Sequence, residues 1–228
     1  MNARLRSKCG LPLDAPEEIG DLPHESKLYH QFCRIYEPVF NRFFARRARA
    51  TIRSLNLPRG ARVLEVGVGT GINARLYPRN CAVTGIDLST SMLEIARQRV
   101  AQEGLTHVRL LEMDAAALTF PDGSFDVVYA PYLINVVSDP LTVVREMRRV
   151  CRPGGKIIFV NHFRSENPVL SRLERAISPL TVHIGFKSDF DLSEFLAQAE
   201  LQSATIHHIS SARFWSVISY VNPSGARA

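Results

Sequence analysis

Short aliphatic runs separated by amphipathic stretches recur from Val63 to Phe163, and their spacing sets the expected architecture. Val63, Leu64 and Val66 have the character of a strand buried on both faces. AVTGIDLS reads as a second strand ending at Asp87, and VRLLEMDA as a third ending at Asp114. FDVVYA and KIIFVNHF follow as strands four and five. Between them the pattern predicts a short helix from Ile72 to Leu76, stopped by Pro78. A longer helix, MLEIARQRV, has Ser89 or Ser91 as its cap, with Ser91 and Glu94 at capping-box spacing and Gly104 as its stop. Asp139 caps a third helix that has Pro140 at its first position and is closed by RPGG, Arg152 to Gly155. DLSEFLAQAEL is a further capped helix, with Asp191 and Glu194 at capping-box spacing. ATIHHIS and FWSVISYV then follow each other without a helix between them, which predicts an antiparallel edge pair. Strands alternating with helices imply an α/β fold: a doubly wound, mostly parallel, seven-stranded sheet with an antiparallel final strand.

The flanks depart from this rhythm. Residues 1–24 carry Pro12, Pro16, Gly20 and Pro23 without periodicity and read as a loosely ordered tail. Residues 25–56 turn helical: Leu28, Phe32, Ile35 and Tyr36 share one face, Pro38 breaks the run, and Phe40, Phe43, Phe44, Ala48, Ile52 and Leu55 share the next. Arg42, Arg46, Arg47, Arg49 and Arg53 surround that second stripe. It reads as a helix packed on the domain with a solvated basic face, or as an interfacial helix on anionic lipid; the two are compatible. The α/β domain proper then spans 57–222, interrupted at 164–190 by an insertion holding a helix from Pro168 to Ile177.

At 228 residues, 46% hydrophobic and 22% charged, the chain suits one α/β domain with a sizeable core. Its net charge of +6 suits an anionic partner such as a membrane surface, nucleic acid or phosphorylated substrate, without selecting among them. Cys9, Cys33, Cys81 and Cys151 are scattered, so neither a metal site nor a disulfide framework is expected. No apolar run reaches the roughly 18 residues that span a bilayer, and the first residues do not resemble a signal sequence. These features predict a soluble protein of a reducing compartment.

The chemistry gathers at the strand ends. Gly67, Gly69 and Gly71 strip side chains from the turn after strand one, so the backbone there can approach a ligand and take positive φ. Glu65, Asp87 and Asp114 lie at or near the carboxyl ends of successive strands, the edge where open α/β sheets bind ligands. An acid after strand two can accept both hydroxyls of a ribose, and one after strand three can accept an adenine amine. The negative charge of Glu65 suits a ligand with a cationic centre and an ammonium. S-adenosylmethionine has these features and lacks phosphates, consistent with the absence of a P-loop lysine. GTGINA, Gly69 to Ala74, also satisfies the permissive dinucleotide pattern. Against that rival stand the acid inside strand one, the second adenosine-side acid, and a third glycine two residues after the second.

Four blocks together resemble class I S-adenosylmethionine-dependent methyltransferases: VLEVGVGTG, GIDLS with ML shortly after, MDAAALTFPDGSFDVV and REMRRVCRPGGKIIFVNH. Tyr29 and Tyr36 are similar to the tyrosines that precede the fold in quinone-biosynthesis methyltransferases, which implies N-terminal lid helices with Tyr29 over the cofactor. APYLINVVSDP and VNHFRSENPVLSRLERAISPL resemble bacterial soluble-type phosphatidylethanolamine N-methyltransferases. That resemblance implies successive methyl transfers to the ethanolamine head group, toward phosphatidylcholine, with S-adenosylhomocysteine as product. Carried over by position, Glu65, Gly67, Gly69, Asp87, Leu88, Met92, Asp114, Ala115 and Ala130 line the cofactor site. The amine must lose its proton before it can attack, and Tyr132, Asn135, Asn161 and His162 are the candidates to orient it or take that proton. Arg164, Arg172, Arg175 and Lys187 are candidates for the lipid phosphate, although Arg172 and Arg175 equally suit a solvated helix. His162 equally suits a strand cap, and His183, His207 and His208 read as structural. Ala130-Pro131-Tyr132 lacks the leading polar group of nucleobase amino-methyltransferases, so nucleic acid is not an expected partner. The implied partners are a phospholipid substrate and an anionic membrane surface, and the implied location is cytoplasmic, peripheral to the inner membrane. A small-molecule or quinone methyltransferase and a non-catalytic lipid-binding protein of the same fold remain the alternatives. No feature of the pattern selects an oligomeric state.

Overall fold

The computed structural model describes residues 48–162, 192–208 and 215–223. Helix α1, 48–54, leads into β1 (Arg62–Val66), a 3₁₀ turn (Ala74–Leu76), β2 (Ala82–Asp87), α2 (Thr90–Gln102) and β3 (Val108–Glu112). There follow β4 (Phe125–Pro131), α3 (Pro140–Val150), β5 (Cys151–His162), α4 (Leu192–Gln198), β6 (Thr205–His208) and β7 (Trp215–Val221). The strands form one seven-stranded sheet in the order β3-β2-β1-β4-β5-β7-β6. β1 pairs parallel with β2 and with β4, and β7 pairs antiparallel with both β5 and β6.

The sheet forms because its central strands are apolar on both faces. Leu64 and Val66 point to one side, where they meet Ile86, Val128, Ile157 and Phe159 beneath Val143, Val144 and Met147 of α3. Val63 points to the other, with Val83, Val127, Ile158 and Val160, under Ile52 and Leu55. Burial of each such side chain contributes about 1.5–3 kcal/mol, which holds the helices to both faces. The helical segment 48–54 therefore uses the stripe that the sequence marked: Ala48, Ile52 and Leu55 are buried while Arg49 and Arg53 are exposed. Asp139 caps α3 as expected, accepting from the Leu141 and Thr142 amides.

Several local expectations are corrected. The short helix from Ile72 shrinks to the 3₁₀ turn Ala74–Leu76, because Gly71 already donates to Val68, the Asn73 side chain turns away to Glu65, and Pro78 follows. Ser89, and not Ser91, caps α2: its Oγ accepts from the Met92 amide at 3.4 Å, while Ser91 sits inside the helix. β3 ends at Glu112, which leaves Asp114 in the following turn. The antiparallel pair β6–β7 closes one edge of the sheet as expected, with β7 on the inner side against β5 and β6 outermost. Ser216, Ile218 and Tyr220 are buried, as an interior position requires. The predicted lid helix through Tyr36, the cap at Asp191 and the 164–190 insertion lie outside the described residues.

The strand order places a topological switch at β1, whose neighbours β2 and β4 are reached by crossovers running in opposite directions. Their divergence opens a crevice at the carboxyl ends of the strands, where the glycine turn lies.

Candidate functional site

The turn after β1 is held residue by residue. The amides of Gly67 and Val68 donate to the Ile86 carbonyl at 2.9 and 2.8 Å, and that of Gly71 donates to Val68 at 3.0 Å. Gly67, Gly69 and Gly71 have φ of +76°, +53° and +72°, a region costly for other residues. Their surroundings differ. A Cβ on Gly67 would lie 2.9 Å from Leu133 Cδ1, and one on Gly71 would lie 3.0 Å from Ala96 Cβ, whereas one on Gly69 would meet nothing within 4 Å. The turn is thus packed at its flanks and open in its middle, as a surface that a ligand lies against must be.

Asp87 ends β2 beside that opening. Its carboxylate accepts from the Gly69 amide at 2.8 Å and from the Ser89 amide at 2.9 Å. It thereby joins the glycine turn to the N-terminus of α2. A carboxylate offers about four acceptor positions, so these bonds are compatible with a vicinal diol bonding the same group. Leu88 next to it is 59% exposed and leaves an apolar face beside Asp87. Met92 is half-buried in the first turn of α2. Asp114 is exposed and accepts from the Ala116 amide at 2.8 Å, which shapes the turn after β3; Ala115 is half-buried against the core. Ala130 is fully buried in the core beneath the crevice.

Glu65 lies elsewhere than its neighbours in the motif. It points to the face covered by α1 and is 1% exposed. Its two oxygens accept from Asn73 Nδ2 at 2.7 Å and from the Tyr77 hydroxyl at 2.8 Å. Burial pushes its carboxyl up to about 7, against the pull of those two donors. Burial also holds the Tyr77 and Tyr129 phenols well above their ordinary value, with the Glu65 charge adding to the effect. Tyr129 is the register partner of Glu65 on β4, and its buried hydroxyl has no hydrogen-bond partner among the described residues. The Glu65 carboxylate accordingly braces the floor of the turn through Asn73 and Tyr77. Sequence reasoning passed over these two residues and Tyr129: Tyr77 reads as one more apolar position before Pro78, and Tyr129 as one more core residue of β4.

At the ends of β4 and β5, Tyr132 has φ of +60°, a strained conformation for a bulky residue, and its amide donates to the Val160 carbonyl at 2.6 Å. Such strain persists where surrounding structure over-determines it, and it concentrates at functional sites. The side chains of Asn135 and Asn161 meet at 2.8 Å, and both residues are 1% exposed. His162 closes β5 opposite Trp215 of β7. Tyr132, Asn135, Asn161 and His162 thus share the strand-end region beside the glycine turn. Tyr29, Arg164, Arg172, Arg175 and Lys187 lie outside the described residues. Among the described residues there is no cluster of groups able to hold a metal ion.

Residues 64–159 match the family model described as a methyltransferase domain. The chain is also 42% identical to a phosphatidylethanolamine N-methyltransferase of Cereibacter sphaeroides, over 80% of this chain and 89% of that protein. The chain belongs to the class I S-adenosylmethionine-dependent methyltransferases. Its cofactor is S-adenosylmethionine, and the open glycine turn beside Asp87 fits that phosphate-free ligand. Other members of this methyltransferase family match over less of their length. A demethylmenaquinone methyltransferase of Bacillus subtilis is 36% identical over 51% of this chain and 52% of that protein. The chain spans about half the length of such quinone enzymes. Among solved structures, the YcgJ protein of Bacillus subtilis superposes with a TM-score of 0.63 at 27% identity, over 72% of this chain and 71% of that one. Phosphoethanolamine N-methyltransferase 2 of Haemonchus contortus, in complex with S-adenosyl-L-methionine, superposes with a TM-score of 0.65 at 19% identity, over 78% of this chain and 53% of that one. The seven-stranded methyltransferase fold expected from the strand pattern is the fold observed.

Proposed function

We propose that this methyltransferase methylates the amine of phosphatidylethanolamine and its methylated intermediates, toward phosphatidylcholine, while bound peripherally to the cytoplasmic face of a membrane. The observation that carries the reading is the 42% identity to a phosphatidylethanolamine N-methyltransferase extending over 89% of that relative, well beyond the cofactor-binding half. No helix among the described residues is long and apolar enough to cross a membrane, which is compatible with peripheral attachment.

In this reading Asp87 accepts the ribose hydroxyls, the main chain at Gly67 and Gly69 lies against the ligand, and Leu88 and Met92 flank its adenine. Asp114 and Ala115 close the adenine side, Ala130 forms the floor, and Tyr29 covers the site as part of a lid. Glu65 acts through Asn73 and Tyr77 on the shape of the turn. When bound, the cofactor supplies an electrophilic methyl group on a sulfonium, which needs little activation. The protein's task is therefore to orient a neutral amine in line and exclude water. An ammonium has no lone pair, so a group beside the nitrogen must hold or take its proton. We assign that role to Tyr132, Asn135, Asn161 and His162, and the supply of charge for the lipid phosphate to Arg164, Arg172, Arg175 and Lys187.

Incubating the protein with methyl-labelled cofactor and phosphatidylethanolamine vesicles tests the reading; label is expected in mono-, di- and trimethylated lipid. The second reading, a quinone methyltransferase, is favoured by the matches to demethylmenaquinone and ubiquinone/menaquinone enzymes. Transfer to a demethylated quinone, with none to lipid, would decide for it.

A further inference from the structure

The glycine turn also takes a hydrogen bond from a side chain of α2. Arg99, in the last turn of α2, donates from Nη1 to the Thr70 carbonyl and lies 3.4 Å from Thr70 Oγ1. One helical turn earlier, Ala96 packs on Gly71 closely enough that a Cβ on that glycine would lie 3.3 Å from the Ala96 Cα. At its other end α2 meets the turn again, through the Asp87 carboxylate that joins the Gly69 and Ser89 amides. We propose that Arg99 is a positioning residue for cofactor binding, holding the Thr70 carbonyl back against α2 so that the middle of the turn stays open at Gly69.

The amides of Gly67 and Val68 are aimed at Ile86, that of Gly69 at Asp87 and that of Gly71 at Val68. These bonds set the turn as seen from the sheet. The Thr70–Gly71 peptide has the less restricted φ of Gly71 on one side. Its N–H already bonds the Val68 carbonyl, so turning its carbonyl toward the crevice would also break that bond; Arg99 is the second tie on the same peptide. A carbonyl turned that way would present an oxygen where the ligand lies and would occupy the open side of Gly69. The guanidinium prevents this with a charge-assisted bond from a half-buried side chain, stronger than a neutral one. Thr70 itself is only 9% exposed, so water competes poorly for its carbonyl. Arg99 touches no reacting atom in this arrangement, which separates its expected effect on binding from any effect on the chemical step.

The test uses the full chain, Arg99→Met and Arg99→Lys, with S-adenosylhomocysteine as the calorimetric ligand, so it is independent of which methyl acceptor is correct. Loss of one charge-assisted bond predicts a roughly tenfold weaker dissociation constant for Arg99→Met, with partial recovery in Arg99→Lys. In ligand-free protein, hydrogen exchange at Thr70 and Gly71 should quicken in Arg99→Met while the β-strand amides keep their protection. In turnover, the KM for the cofactor should rise with kcat kept within about twofold. A folded Arg99→Met variant that binds within twofold of wild type overturns the proposal. So does weakened binding that tracks a general loss of strand protection and is not recovered by lysine. Should Arg99→Met fail to fold, Arg99→Lys carries the test: binding equal to wild type then counts against a forked donor at this position.

Discussion

Two hydrogen-bond donors on a carboxylate ordinarily lower its pKa, yet Glu65 goes the other way, because desolvation at 1% exposure outweighs Asn73 and Tyr77. The folded-state value of about 7 lies above the ordinary 4.5, so the folded protein holds this proton more tightly than the unfolded chain does. Stability is then greatest below pH 4.5, falls as pH rises toward 7, and levels off above that, by on the order of 3 kcal/mol. Glu65→Gln keeps the shape and a neutral acceptor. It should gain stability relative to wild type between pH 5 and pH 8, read as a rising difference in urea midpoint. A constant difference would show that Glu65 titrates normally. Asp87 is the contrasting acid, half-buried and bonded to main-chain amides on both sides. Asp87→Ala should weaken S-adenosylhomocysteine binding by about 2 kcal/mol, through loss of a charged acceptor. Calorimetry that finds unchanged affinity would remove Asp87 from the site.

At the scale of elements, the glycine turn separates folding from binding. Gly71→Ala places a methyl against the Ala96 backbone at positive φ and should destabilise the fold by about 1–3 kcal/mol. Gly69→Ala meets open space, so it should cost only about 1 kcal/mol of conformational strain while filling the surface proposed to face the cofactor. Thermal unfolding and calorimetric binding of the two variants should therefore rank in opposite orders. Matching ranks would mean that Gly69 does not face the ligand. The helix cap of α3 offers a control away from the site: Asp139→Ala should lower stability by about 1 kcal/mol, with cofactor affinity intact.

For the whole molecule, the doubly wound order sends the carboxyl ends of β1, β2 and β4 to one edge and closes the opposite edge with ion pairs. Asp126 there accepts from the Arg62 amide at 2.8 Å and Arg152 Nε at 2.6 Å, tying the entrances of β1 and β5 to that of β4. A net charge of +6, with Arg49 and Arg53 exposed on α1, is compatible with the proposed peripheral binding to anionic lipid. If the chain acts at such a surface, binding to vesicles of anionic lipid should fall several-fold as salt rises from about 0.05 to 0.5 M, because the screening length shrinks below about 5 Å. Binding indifferent to salt in a sedimentation assay would replace electrostatic attraction with apolar insertion.

Strands β1 to β5, the cap at Asp139 and the acids Glu65, Asp87 and Asp114 at or near the strand ends were legible in the sequence. Each rests on local signals: β-branched runs, a capping oxygen, glycines at fixed spacing. The cofactor was legible too, since its features map onto acids and glycines in one short motif and the two after it. Tertiary structure decided the rest. That β7 enters between β5 and β6 depends on which edge of the sheet was left unpaired, a non-local choice that strand propensity does not encode. That Glu65 faces Asn73 and Tyr77 under α1, while Asp87 faces the crevice, follows from which face of its strand each acid occupies after the chain has wound around β1. The Arg99 contact with Thr70 spans 29 positions and exists only because α2 folds back along the turn. Local chemistry named the cofactor; packing chose which strand-end side chains face the crevice and which are buried beneath the turn beside it.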